Sequence, residues 1–169
     1  MKKIVIVLCA FVLLAGMSVA VDAVLAGSGE SGGGMRNSSN VVQASAVPGA
    51  ATVKAGERVA FKVNVQIQDK WHLYAHEDSM FIGIDLSAAE GMPLEDLQVV
   101  YPDGQEGVFF GETVLMLEGD IAVEASALVP AGMATGDYEL AFALTVQACD
   151  DKMCLAPADL PLKLTVTVP

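Results

Sequence analysis

The sequence contains very little cysteine, and the positions of its three cysteines limit what they can do. Cys9 lies in an apolar N-terminal segment with the pattern of a signal peptide, whereas Cys149 and Cys154 lie near the other end of the chain. The exported protein would therefore keep two thiols. These can form a structural bridge, exchange disulfides with another protein, or bind a metal.

Basic residues are also scarce. The chain has 9 Lys and Arg against 21 Asp and Glu, which gives a formal net charge of -12 at pH 7. A chain this acidic is a poor partner for nucleic acid and for anionic membrane surfaces. We therefore expect no nucleic-acid partner.

No hydrophobic run at the N-terminus is long enough for a typical membrane span. The apolar residues 4–17 fall short of the roughly 20 that a transmembrane helix needs. They follow two lysines and precede small residues, so we predict a signal peptide over residues 1–23. No cysteine follows closely, so we expect no stable membrane anchor and a periplasmic location, where disulfides persist. The residues that fit signal cleavage are Ala20, Ala23 and Ala26.

The sequence lacks a convincing amphipathic helical stripe, and its apolar residues instead alternate with polar ones. A period of two indicates strands with one buried and one solvated face. Turn-forming residues separate the alternating segments. This pattern predicts an all-β domain, an immunoglobulin-like antiparallel β-sandwich. The alternating segments are residues 59–67, 121–129, 138–146 and 160–168.

Composition divides the chain after the signal peptide into two parts. Residues 24–40 are rich in Gly, Ser and Asn and predict a flexible leader. Residues 41–169 have the usual size of one domain and show no internal repeat. We expect a single folded domain.

Cys149 and Cys154 frame a short polar loop, residues 150–153, before the last predicted strand. Cys149 continues the polar face of segment 138–146, so we expect it to face away from the apolar stripe. A bridge is feasible if the loop brings the two Cα atoms within about 7 Å. A ring of about six residues stabilises the fold by only about 2 kcal/mol, and we expect both sulfurs near the surface, within reach of a partner thiolate. A small, accessible ring favours a redox pair but is also compatible with a structural bridge.

Three segments resemble the N-terminal domain family of the thiol:disulfide interchange protein DsbD. The first joins residues 56–59 (Gly-Glu-Arg-Val) to 70–74 (Lys-Trp-His-Leu-Tyr), and the second is residues 109–114 (Phe-Phe-Gly-Glu-Thr-Val). The third, the most specific, is Gln-Ala-Cys at 147–149 followed by Cys-Leu-Ala-Pro at 154–157. The resemblance extends over about residues 41–169. It implies an exported immunoglobulin-like sandwich that carries a redox cysteine pair.

The resemblance also implies roles for individual residues. Cys149 and Cys154 correspond to the catalytic pair, and Cys154 corresponds to the cysteine that forms the mixed disulfide with partners. Phe109 corresponds to the cap-loop aromatic that covers the pair in the absence of a partner. The residues that the resemblance places around the pair or in the adjacent core are Phe109, Phe110, Trp71 and Tyr74.

The partners implied by the resemblance are thioredoxin-like proteins, membrane electron-transfer proteins and periplasmic disulfide substrates. No cofactor is implied, and we expect a monomer. Two departures stand out: four residues separate the cysteines where the best-known members have five, and Gly107 and Val108 replace an acidic pair. The sequence also ends after this one domain, so we expect separate proteins to supply the electrons.

Two other functions remain open. His72 and His76 could complete a Cys₂His₂ metal set with the two cysteines, but the spacing matches no recognised zinc-finger pattern. A copper site would need a weak methionine ligand, and we predict no metal at either kind of site. The other alternative is an exported protein-binding module whose disulfide is purely structural. The candidate methionine ligands are Met80, Met116 and Met153.

Overall fold

The structure, a computed structural model, describes residues 36–77 and 80–169. The predicted signal peptide and most of the predicted leader lie outside the described residues. The end of the leader belongs to the folded domain: Ser38–Asn40 form one 3-10 turn, capped by the Asn37 side chain, and Ser38 is buried. Among the described residues, no helix has the length and apolar character to cross a membrane.

The described part of the chain contains ten strands. Every pair of neighbouring strands is antiparallel. The all-β, immunoglobulin-like sandwich predicted from the alternating segments is confirmed. In chain order the strands are β1 (Val42–Pro48), β2 (Arg58–Ile67), β3 (Leu73–Tyr74), β4 (Asp85–Ala88), β5 (Glu95–Val100), β6 (Gln105–Phe109), β7 (Glu112–Leu117), β8 (Asp120–Leu128), β9 (Gly136–Val146) and β10 (Ala158–Val168).

The strands form three sheets. The first has the order β1-β2-β8-β5, the second β10-β9-β4, and the third β3-β7-β6. The four alternating segments seen in the sequence are β2, β8, β9 and β10. Strands β2 and β8 form the centre of the first sheet, while β9 is the centre and β10 an edge of the second. The long alternating strands therefore build the sandwich.

The main core lies between the first two sheets. Alternate residues of β2 and β9 are buried, and the rings of Phe61 and Phe142 meet across the core with centroids 4.7 Å apart. Each fully buried aliphatic or aromatic side chain contributes roughly 1.5–3 kcal/mol relative to exposure. This core forms without contribution from the two cysteines.

The third sheet packs over Cys149, which lies three residues after the end of β9, on the face that points away from this core. Its first strand, β3, pairs with β7, and β7 pairs with β6. Backbone bridges from His72 to Cys149 and from Tyr74 to Gly83 join this region to the segments that follow β9 and precede β4. This small sheet positions the residues around the cysteines.

Candidate functional site

Cys149 and Cys154 are joined by a disulfide across a narrow β-hairpin. The two residues are direct partners in an antiparallel bridge, with Cα atoms 4.0 Å apart. The hydrogen bonds lie on either side of them, from Asp150 N–H to the Met153 carbonyl (2.9 Å) and from Leu155 N–H to the Ala148 carbonyl (2.8 Å). The cysteines thus occupy a non-hydrogen-bonded pair, in which opposite side chains come closest.

The turn of this hairpin is held by the Asp150 side chain. Its Oδ1 accepts hydrogen bonds from the backbone N–H groups of Lys152 (2.8 Å) and Met153 (2.9 Å). These two hydrogen bonds, helped by the Lys152 ammonium, lower the pKa of Asp150 below its usual value. The Asp150 carboxylate, ionised at neutral pH like any aspartate, holds the turn through these two hydrogen bonds.

Ser38 ties the base of the hairpin to the N-terminal segment. Its hydroxyl donates to the Ala156 carbonyl (2.9 Å) and accepts from the Ala148 N–H (2.9 Å). Its own N–H also donates to the Ala156 carbonyl (2.9 Å). Ala148 precedes the first cysteine and Ala156 follows the second by two positions, so Ser38 fixes both arms of the hairpin. Ser38 could not be recognised from the sequence, because it lies in a segment whose composition is that of a flexible leader.

The chain segment at His72, just before β3, pairs with the first arm of the cysteine hairpin. The backbones of His72 and Cys149 exchange two hydrogen bonds, His72 N–H to the Cys149 carbonyl (2.9 Å) and Cys149 N–H to the His72 carbonyl (3.0 Å). Directly opposite residues of an antiparallel pair point to the same face. His72, Cys149 and Cys154 therefore form a row across three chain segments, with Cys149 in the middle; we call it the cysteine row.

The face of the cysteine row is covered by an apolar cluster, so one sequence-based expectation was wrong. We expected both sulfurs near the surface, but Cys149 is 0% exposed and only Cys154 is partly exposed. Cys149 does face away from the main core, as its phase in the strand predicted, but the third sheet packs over it. The fully buried members of this cysteine cluster are Tyr74, Phe109, Val114 and Cys149, and the partly buried ones are Phe81, Met116 and Cys154.

Phe109 is placed in the cysteine cluster by the tight turn between β6 and β7. Phe109 is opposite Glu112, and the two turn residues, Phe110 and Gly111, have φ angles of 50° and 88°. Two successive positive φ angles are typical of a two-residue hairpin turn of type I′, which favours Asn and Gly. A phenylalanine there is unusual, and the Phe110 side chain is 71% exposed.

Aromatic rings surround Phe109 on several sides. Its ring centroid lies 5.4 Å from His72, 5.3 Å from Phe81 and 4.3 Å from Phe110. The phenylalanine is only 4% exposed. Phe81 is a contributor that the sequence did not reveal, because residues 80–84 show no strand periodicity.

His72 is buried beside the bridge and hydrogen-bonded to a neighbour in the cluster. Its Nε2 lies 3.2 Å from the Tyr74 hydroxyl. Burial lowers the pKa of His72 below its ordinary value of 6.5, while the carboxylates of Glu118, Asp151 and Asp150 act in the opposite direction. The imidazole is therefore neutral at pH 7.

The remaining residues singled out in the sequence lie in different places. Tyr74 belongs to the cysteine cluster and Phe110 forms the exposed tip beside it. Trp71, expected around the cysteine pair or in the adjacent core, packs against the main sandwich core. Strand alternation accounts for this: Trp71 and His72 are consecutive, so their side chains point to opposite faces.

The two histidines named as candidate metal ligands lie in different surroundings. His76 lies outside the cysteine cluster: its ring stacks on Tyr101 with centroids 3.9 Å apart, and its Nδ1 lies 2.9 Å from the Ile84 carbonyl. Met80 and Met153 are exposed, whereas Met116 packs against the cysteine cluster. In the part of the chain that the structure describes, no three His, Cys, Asp or Glu side chains form a group that could hold a metal ion.

The sequence matches the family model described as thiol:disulfide interchange protein DsbD, N-terminal, over residues 39–165. The match includes both cysteines of the bridge and the segments that form the cysteine cluster. No curated protein matches the sequence.

Two solved structures align with this chain. The N-terminal periplasmic domain of ScsB from Proteus mirabilis aligns with a TM-score of 0.55 at 11% identity, covering 76% of this chain. This chain spans about half of that domain, 47% of its length. The reduced N-terminal domain of DsbD from Neisseria meningitidis aligns with a TM-score of 0.43 at 20% identity, covering 72% of this chain and 86% of that one.

Proposed function

Because this chain belongs to the family of the N-terminal domain of the thiol:disulfide interchange protein DsbD, we propose that it is a periplasmic thiol:disulfide oxidoreductase whose redox pair is Cys149 and Cys154. Its partners are thioredoxin-like or membrane electron-transfer proteins and disulfide-bonded substrates in the periplasm. The observation that carries the proposal is the unequal burial of the two bridged cysteines. Cys149 is fully buried in an apolar cluster, while Cys154 is partly exposed.

The unequal burial supports a different role for each sulfur. In the reduced protein, the Cys154 thiolate attacks a partner disulfide, a mixed disulfide forms, and one partner sulfur leaves as a thiolate. The Cys149 thiolate then attacks the Cys154 sulfur, which re-forms the intramolecular bridge and releases the second partner sulfur. Because Cys149 lies directly opposite Cys154 in the hairpin, this second attack needs no rearrangement of the hairpin.

Phe109 is proposed to shield the pair when no partner is bound. It is buried in the same cluster as Cys149 and Cys154 and sits next to a two-residue turn. A hairpin tip can shift with little disturbance of the sandwich, because loops and their flanking residues have the lowest local stability. Displacement of Phe109 by a docking partner then gives the partner thiolate access to Cys154.

The experiment that tests the proposal traps the mixed disulfide. A thioredoxin-like protein with its resolving cysteine replaced by alanine is incubated with Cys149→Ala and, separately, with Cys154→Ala, and the adducts are resolved on non-reducing gels. Cys149→Ala should accumulate an adduct through Cys154, whereas Cys154→Ala should accumulate at most about a tenth as much, since the buried Cys149 sulfur is poorly accessible.

Equal adduct from both variants would contradict the assignment of roles. No adduct from either variant, with several thioredoxin-like proteins tried, would favour the second candidate: a protein-binding sandwich whose disulfide is structural. The specific observation behind that candidate is the complete burial of Cys149, since buried bridges usually resist exchange.

A further inference from the structure

His72 is a buried polar residue with no role in the exchange steps described above. Among the described residues, the buried polar side chains are those of Ser38 and His72. Ser38 is accounted for by its hydrogen bonds to both arms of the cysteine hairpin. His72 is only 5% exposed, and its backbone pairs with the first cysteine of the bridge. Burying an imidazole costs free energy, so its position calls for an explanation.

The cysteine row places the imidazole next to Cys149 and not next to Cys154. Cys149 is directly opposite His72 on one side and Cys154 on the other. Directly opposite residues in an antiparallel pair have Cβ atoms about 4.5–5.5 Å apart. The Phe109 ring closes over the same face, 5.4 Å from the imidazole centroid. The thiol of Cys149 and the ring of His72 therefore share one water-poor compartment.

The surroundings keep this imidazole neutral and orient it. In the tautomer in which Nε2–H donates to the Tyr74 hydroxyl oxygen at 3.2 Å, Nδ1 carries the free lone pair. The charged groups that act on the ring are the carboxylates of Glu118, Asp150 and Asp151, which only partly offset the effect of burial. Negative charge near a thiol disfavours its ionised form, so a buried thiol here needs a base before it can attack.

We propose that His72 accepts the proton that the Cys149 thiol releases as Cys149 resolves the mixed disulfide. This inference rests on the proposed function and deepens it. The Cys149 S–H proton moves to Nδ1 of His72, and the resulting thiolate forms a bond to the Cys154 sulfur. The bond between Cys154 and the partner sulfur breaks, and its electron pair leaves with the partner as a thiolate. The cysteine pair is thereby oxidised by two electrons and the partner disulfide reduced by two, and His72 passes its proton to the departing thiolate or to water.

The test uses 5,5′-dithiobis(2-nitrobenzoate) as the disulfide and follows release of its coloured thiolate by stopped flow. The reduced wild-type protein should release a first equivalent at a rate proportional to reagent concentration, when Cys154 attacks. It should release a second equivalent at a rate independent of reagent concentration, when Cys149 resolves the adduct. Rates of both steps are measured between about pH 5.5 and 8.5, where a histidine base titrates.

The key variant is His72→Gln, whose amide can keep the hydrogen bond to Tyr74 but cannot accept the proton. The second step should slow at least about tenfold at pH 7, and its rate should now rise in proportion to hydroxide concentration, while the first step changes by less than about twofold. The matched control is His76→Gln, which alters the other histidine of the chain, outside the cysteine cluster, and should leave both steps at wild-type rates.

A second step in His72→Gln with the wild-type rate and pH profile would overturn the inference, and so would equal slowing of both steps. If His72→Gln does not fold, Tyr74→Phe takes its place: a slower second step with an unchanged first step supports the inference, and an unchanged second step contradicts it. A wild-type protein that keeps the first adduct and never releases the second equivalent would instead refute the redox pair itself.

Discussion

At the scale of single residues, the chemistry of this domain depends on which side chains cover the bridge. The Phe109 ring is buried against Cys149, Tyr74 and Val114, while its neighbour Phe110 is exposed. Two adjacent phenylalanines in opposite environments provide a test residue and a matched control. A ring that only fills space would affect stability; a ring that shields the sulfurs would also affect their rate of reaction.

We predict that Phe109→Leu speeds alkylation of the reduced cysteines by iodoacetamide several-fold under native conditions. Leucine keeps an apolar contact but leaves part of the ring volume open, at a cost of roughly 0.5–3 kcal/mol in the free energy of unfolding. Phe110→Leu should leave the alkylation rate near that of the wild type. Rates are measured by mass spectrometry and stability by urea unfolding. A loss of stability in Phe109→Leu without faster alkylation would mean that the phenylalanine is ordinary packing.

At the scale of elements, the site is assembled from pieces that are far apart in the sequence. Ser38 and Ala148, which share a hydrogen bond, are separated by 110 positions. Ser38 bonds to both arms of the cysteine hairpin, so this residue behaves as part of the site. The adjacent Ser39 is exposed and bonds locally to the Asn37 side chain.

Replacement of Ser38 by alanine should lower the free energy of unfolding by about 1–3 kcal/mol. The Ala148 N–H would then be buried without a partner, which costs that much for a backbone donor. Ser39→Ala is the control and should change stability by less than about 0.5 kcal/mol, the usual range for a surface substitution. Urea unfolding of the oxidised proteins measures both. Equal, small effects would show that water replaces the serine and that the segment is not an anchor.

The elements also show where sequence reasoning succeeds and where it stops. The long strands β2, β8, β9 and β10 were predictable, because most of each strand alternates between buried and more exposed residues, with one face in the core. Strand β3 has two residues and β5 contains an irregularity between Glu95 and Gln98, so neither has a readable period. The cysteine pair and Phe109 were found through motifs, but the burial of Cys149 was not, because it results from the third sheet packing over the segment after β9.

At the scale of the whole molecule, the sandwich core and the cysteine site are separate packing units. The main core lies between the first two sheets, whereas the bridge, Tyr74 and Phe109 form their own cluster. The bridge closes a ring with a sequence separation of 5, and a ring of that size stabilises a fold by only about 2 kcal/mol in the chain-entropy model. We therefore expect the sandwich to remain folded when the bridge is reduced, as a domain that cycles between two redox states requires.

The most direct test of the central claim is a redox titration of the wild-type protein under native conditions. The oxidised protein is equilibrated with mixtures of reduced and oxidised dithiothreitol, free thiols are counted by mass spectrometry after alkylation, and folding is followed by circular dichroism. The account predicts that two thiols appear and disappear reversibly, at Cys149 and Cys154, while the β-sheet spectrum is unchanged. A bridge that yields thiols only when the domain unfolds would contradict it.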